Sequence, residues 1–217
     1  MNTAIKAKLK FMNISNLPEK HMANQIIKQQ KNKTNMRTLF TLFIAAIFCT
    51  ACNQNYTNSK ESFTKIEKEL KEKFGDNAYY SNISVSNGSS VGDILSVTVT
   101  KDPASLKMEE WNKTQGNWKQ TSNVTVELGS GKPEDFMFNL NKDISISKMG
   151  ELIETAKKKL ANEKKITDAV VKIASVSAPQ NHDKSALQYL IMLEPKNGGT
   201  AFSFFYDLGG NLKNFSY

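Results

Sequence analysis

"SKESFTKIEKELKEKFG" (residues 59–75), followed by "NISVS" (82–86) and "ILSVTVT" (94–100), marks the point where a helical period gives way to a strand period. Phe63, Ile66, Leu70 and Phe74 recur at helical spacing, Ser59 is placed to cap the first turn, and Gly75 to end the last. The opposite face is Lys and Glu, with Glu61–Lys65, Glu67–Lys71 and Glu69–Lys73 spaced to pair along the helix. The segments after it alternate, or carry β-branched residues, between Gly, Asn and Pro. They predict strands at 82–86 and 94–100, one running up to Trp111, and one at 122–128.

The order then recurs. Ser147 opens a second expected helix with the stripe Met149, Leu152, Ile153, Ala156 and Leu160, and strands are expected at 169–177, 186–194, 201–206 and 211–217. Short matches link the halves: "SVS" at 84–86 and 175–177, Asp102-Pro103 and Glu194-Pro195, and "GNWK" at 116–119 against "GNLK" at 210–213. An apolar helix stripe needs one face of a sheet to bury it. The expectation is an α+β protein of two related α-β-β-β(-β) units, 59–140 with its connector and 141–217, whose antiparallel sheets are each covered by one helix. Those sheets are expected to form a continuous or a facing surface with the helices behind, and Phe136–Leu140 to be a short extra element. By element order the chain resembles PepSY-like envelope proteins and the tandem-repeat β-lactamase inhibitor proteins. The inhibitor resemblance implies that the exposed sheet face is the contact surface.

An apolar run, Leu39–Phe48, follows Met36-Arg37 and leads through Thr50 and Ala51 to Cys52. It is too short to span a bilayer, which takes roughly 20 residues, and suits a signal-peptide core of roughly 7 to 15. Its ending resembles the lipobox of bacterial lipoproteins, with Ala51 as the small residue before the cysteine and Cys49 standing where leucine is usual. The resemblance implies a signal peptide at 36–51, lipid on Cys52, a tether at 52–58, and, because Asn53 is not aspartate, sorting to the outer membrane. Residues 1–35 are then an over-called or disordered extension, with Met36 the true start.

Charge supports that division. Of the formal net charge of +8, residues 1–51 carry +7 and Cys52–Tyr217 only +1, and no arginine follows Arg37. The charge therefore gives the expected mature chain no nucleic-acid-binding character. With Cys52 lipidated no disulfide is expected, and no cofactor or metal site is read from the Cys and His spacing.

Catalytic constellations are weak. His182 with Asp183 lies in "APQNHDKS", which reads as a loop without a nucleophile. Glu109 and Glu110, neighbours on a strand, point to opposite faces; Glu134-Asp135 reads as solvated surface. "GSSVGD" (88–93) and "GSG" (129–131) lack the Lys-Ser/Thr of a phosphate loop and read as turns. Lys157-Lys158-Lys159 with Lys164-Lys165 suits either a helix C-terminus or anionic headgroups. Trp111 and Trp118 flank "NKTQGN" as an expected cross-strand aromatic pair, with Phe205 and Leu212 as counterparts in the other half. Two readings of them stand: packing, or an exposed platform on the binding face. The expected function is a lipid-anchored, non-enzymatic binding or accessory module with an envelope protein or peptide partner. The alternative is an envelope hydrolase with a carboxylate- or lysine-based site.

Overall fold

The computed structural model describes residues 59–88, 91–128, 131–179 and 183–217. The expected signal peptide, Cys52, the tether and His182 lie outside the described residues. All described elements fall within a compact unit, Asn53–Tyr217.

Helix α1 (Lys60–Phe74) is capped by Ser59, whose hydroxyl accepts from the Ser62 N–H, and ends at Gly75 with φ 97°, a region that favours glycine. Strands β1 (Tyr79–Asn87), β2 (Asp93–Thr100), β3 (Lys107–Thr114) and β4 (Asn117–Thr125) follow as a meander. The β3–β4 turn is two residues, Gln115 and Gly116, both at positive φ, the hairpin geometry that matches strand twist. In the connector, β5 (Phe138–Asn139) pairs with β1, and the buried Asn139 amide donates to the carbonyls of Asp76 and Ala78. Helix α2 (Ile146–Lys164) leads into β6 (Ala169–Ser177), β7 (Gln188–Pro195), β8 (Phe202–Asp207) and β9 (Leu212–Ser216).

The α+β expectation holds, but the strands make one sheet. Its order is β4-β3-β2-β1-β6-β7-β8-β9, with β5 beside β1, and every pairing is antiparallel. The join is the β1–β6 ladder, which sets Ser84 opposite Ser175, Asn82 opposite Ser177 and Ser86 opposite Ile173. Of the two arrangements open to the sequence, continuous and facing, this is the continuous one.

Both expected helix stripes are buried, and with Leu95, Val97, Ala174, Val176, Ile191 and Phe204 they form one core cluster. The second helix begins at Ile146, one residue before the expected opening at Ser147, and Ser145 takes the cap position. The reason sits on α1: Glu67 Oε2 accepts from the Ser147 N–H and the Ser145 hydroxyl, both at 3.0 Å, so one helix's carboxylate satisfies the other's first turn. Burial raises the Glu67 pKa, but the bonds from Ser147, Lys71 and Ser145 outweigh it and hold the carboxyl below its ordinary value. The helices also touch at a glycine: a Cβ on Gly150 of α2 would lie 2.6 Å from Lys60 Cα of α1.

Three tyrosines enter the core with different fates. Tyr80 donates to the Leu70 carbonyl and Tyr189 to that of Ser145, while the Tyr206 hydroxyl is buried without a hydrogen-bond partner. Burial pushes the Tyr206 phenol up to about 12. An unsatisfied buried hydroxyl costs about 1 to 3 kcal/mol. Tyr206→Phe is therefore expected to raise stability by about 1 kcal/mol, whereas Tyr189→Phe lowers it. Urea denaturation of the two variants checks the opposite signs, and a destabilised Tyr206→Phe would contradict the orphaned hydroxyl.

Candidate functional site

Residues opposite one another in neighbouring strands share a face of the sheet. Leu95 and Val97 face the helices, so Ser96 and Thr98 face away from them. From there the pairings give three rows across β3, β2, β1, β6 and β7. One runs Asn112, Ser96, Ser84, Ser175, Leu190; the next Glu110, Thr98, Asn82, Ser177, Gln188; the third Thr114, Ile94, Ser86, Ile173, Met192. Glu110 is the one charged side chain in those rows, and it bonds to Ser122 across the hairpin. A solvated protein surface carries about 25–35% charged residues, so a patch of this size would ordinarily hold four or five. The centres of protein interfaces share this loss of charge, although they favour aromatic residues, Met and Arg over Ser.

One ion pair borders the third row, Lys172–Glu194 at 2.8 Å on β6 and β7; the others lie away from these rows. Lys60–Glu151, Lys71–Glu67, Lys148–Glu151, Lys157–Glu154 and Lys159–Glu163 decorate the helices. At one end of the open face, Ser175, Ser177, Leu190 and Phe205 form the floor of a cleft of about 380 Å³ walled by Ala178, Pro179 and Ala186. A larger cleft, about 690 Å³, lies at the far end of β2–β4, where Phe74, Val99 and Met108 meet Lys101 and Lys107.

Trp111 and Trp118 are not on this face. Trp111 stands opposite Val97 and Trp118 opposite Lys113, so the two indoles are diagonal neighbours on the helix side rather than a directly opposed pair. Both are half-buried and meet the Phe74 ring edge-on, at 6.0 and 5.5 Å between centroids. The expected Glu69–Lys73 pairing gives way to this cluster. Glu69 accepts from Trp118 Nε1 at 2.7 Å and pairs with Lys113 at 2.6 Å, while the Lys73 ammonium sits 4.2 Å from the Trp111 ring. The sheet buries Lys113 almost wholly, so it demands a carboxylate more than the solvated Lys73 does. The proposed counterpart of Trp111 also shifts: Phe204 faces Ile191 on the helix side, whereas Phe205 lies on the open face. Leu212 pairs with Tyr206 on β8. Trp111→Ala and Trp118→Ala are each expected to cost about 2 kcal/mol, less than a fully buried tryptophan, and to lower Tm by roughly 4–8 °C. Unchanged thermal melts would return both residues to the platform reading.

The remaining candidates are accounted for singly. Glu109 accepts from Trp111 Nε1 on the side opposite Glu110, as strand alternation requires. Asp135 accepts from the Lys132 N–H within the short 3-10 turn Pro133–Phe136 that also carries Glu134. Asp183 accepts from the N–H and hydroxyl of Ser185. In the lysine cluster, Lys164 donates to the Tyr217 hydroxyl and Lys165 to the Asn162 carbonyl. Among the described residues no group of three His, Cys, Asp or Glu is placed to hold a metal ion, and no helix is long and apolar enough to cross a membrane.

Sequence reasoning expected an exposed sheet face but placed the wrong residues on it, Trp111 and Trp118, because it looked for unusual ones. Its signal is a run of ordinary ones, Ser84, Ser86, Ser96, Ser175 and Ser177, at strand positions where charge is normal. Compared with known proteins, the chain matches no family model, no curated protein and no solved structure.

Proposed function

We propose that this chain is a lipid-anchored envelope protein that works as a non-enzymatic binding or accessory module, built from two related halves, with the open sheet face as its contact surface. The observation that carries the binding role is the charge-poor, hydroxyl-rich face across β3, β2, β1, β6 and β7, most of whose side chains are partly exposed. An open sheet face lacks the concave, apolar enclosure of a small-molecule site, which favours a protein or peptide partner.

The two-half reading draws support from the sheet order, in which β1 and β6 meet at the centre and each meander runs outward to an edge. The offset that aligns Ser84 with Ser175 in sequence also maps the Asn82–Ser177 pair onto Ser86–Ile173, so the central ladder is consistent with a pseudo-twofold. Gly116 and Gly210, from "GNWK" and "GNLK", both turn hairpins at positive φ, 81° and 88°. The PepSY-like and inhibitor-like resemblance rests on this element order.

Ser84→Lys and Ser96→Lys, at half-buried positions opposite one another, add charge to the middle of the face without touching the core. Loss of the same envelope partners from cross-linked pull-downs, with unchanged melting, is the expected result; identical capture by both variants would remove the face from the function. The hydrolase alternative predicts turnover in broad hydrolase profiling that a carboxylate variant abolishes.

The address is separately testable. Two or more acyl chains, at about 0.8 kcal/mol per buried CH₂, anchor firmly. Cys52→Ala is expected to leave an uncleaved or mis-sorted precursor, read by membrane fractionation and intact mass. A normal mature membrane form in that variant would end the lipoprotein reading.

A further inference from the structure

β4 closes one end of the sheet. It is paired with β3 on one side, and among the described residues no strand lies beyond it. It is nine residues long and exposed at all but Trp118 and Val124, whereas β9 at the other edge has five residues. Sheets ordinarily guard a long edge with charge, proline, bulges or a covering element, because its outward N–H and C=O groups are a template for another strand. β4 contains no proline, and Lys119 is its one charge. Its one irregularity is a shift in register against β3, where Trp111 faces Gln120 and Glu110 faces Ser122.

We propose that two copies of this chain pair antiparallel through β4, forming a symmetric edge-to-edge contact that continues the sheet from one copy into the other. The charge pattern permits a second copy as the occupant. Like charges directly opposite one another destabilise a strand pair. With Lys119 as the only charge, every antiparallel register except the one centred on Lys119 sets it against a neutral residue. The backbone supplies the bonds, and adjacent strands lie about 4.8 Å apart. Both copies keep their helices on the same side, so the two open faces become one surface. A contact limited to one strand lies in the weak, reversible class of interfaces. This inference stands on the edge alone and does not depend on the binding role or the lipid anchor.

Sedimentation equilibrium of the Asn53–Tyr217 unit, from micromolar to millimolar concentration, is expected to show mass rising from one copy towards two. Gln120→Lys combined with Asn123→Lys places two more cations on the exposed edge and should weaken association at least tenfold. Asn214→Lys with Ser216→Lys, on the β9 edge, should leave it unchanged. Amide exchange on the unmodified protein gives a readout independent of any variant, because β4 amides should slow as concentration rises. A monomer at every concentration overturns the proposal. So does association without added protection in β4, or association that a folded β4 double variant retains in full.

Discussion

Glu69→Ala is expected to destabilise the protein by about 3 kcal/mol and lower Tm by roughly 6–12 °C. The Lys113 side chain is 6% exposed and Glu69 27% exposed, so the substitution removes the carboxylate that neutralises a cation held out of water. It also takes the acceptor from Trp118 Nε1. Breaking a buried pair from one side costs about 3–5 kcal/mol; the solvent exposure of Glu69 puts this pair at the lower end. Removing both charges is a different experiment. Glu69→Leu with Lys113→Met should recover most of the loss, because hydrophobic residues avoid the desolvation that the pair incurs. Urea denaturation of the single and double variants checks both signs. A mild Glu69→Ala together with a severely destabilised double variant would contradict the ion-pair account.

The second large effect comes from a hydrogen atom's worth of space. Gly→Ala within a helix normally stabilises by about 1 kcal/mol, through helix propensity and lost freedom of the unfolded chain. Gly150→Ala should do the opposite. The new Cβ would stand 2.6 Å from Lys60 Cα, a backbone atom that cannot swing aside as a side-chain tip can. The two helices must separate or tilt, which strains the Glu67 bonds to Ser145 and Ser147 and the Lys60–Glu151 pair. A loss of about 2 kcal/mol is expected for alanine and about 3 kcal/mol or more for valine, in the range of overpacked cores. Thermal melts and far-UV circular dichroism give the measurement. A stabilised Gly150→Ala would mean that the helices pack less closely than described.

What could be read from the sequence was what depends on local period. The stripe Phe63, Ile66, Leu70 and Phe74 identified both a helix and the side it buries, and 169–177 matched β6 at both ends. The join of the sheets was legible only as one of two options. β1 and β6 look alike as alternating strands, and nothing in "NISVS" or "VKIASVS" says which neighbour each takes. The tryptophans were drawn towards the open face by polar neighbours, Glu109, Asn112 and Lys113. Two of those turned out to serve the indole side: Glu109 binds Trp111, and Lys113 reaches Glu69 across 44 positions of chain. A pair so far apart leaves no periodic trace. Gly150 gave no signal either, because a glycine inside a helical pattern reads as a small defect until the opposing backbone is in view.

The central ladder also sets how the chain can assemble. Each meander joins strands that are neighbours in sequence, so its contacts close short loops and can form early. The β1–β6 ladder is different: Ser84 meets Ser175 only after the whole first meander and α2 have been traversed. Loop-closure entropy grows slowly with length, but contacts of high sequence separation slow the search for the native topology. The seam is therefore the high-contact-order step, and closing it lets the two helix stripes complete one core. Substitutions at Val85 or Ala174 would act on that step, changing the folding rate as well as the stability, whereas changes out at β4 or β9 would fall mainly on unfolding.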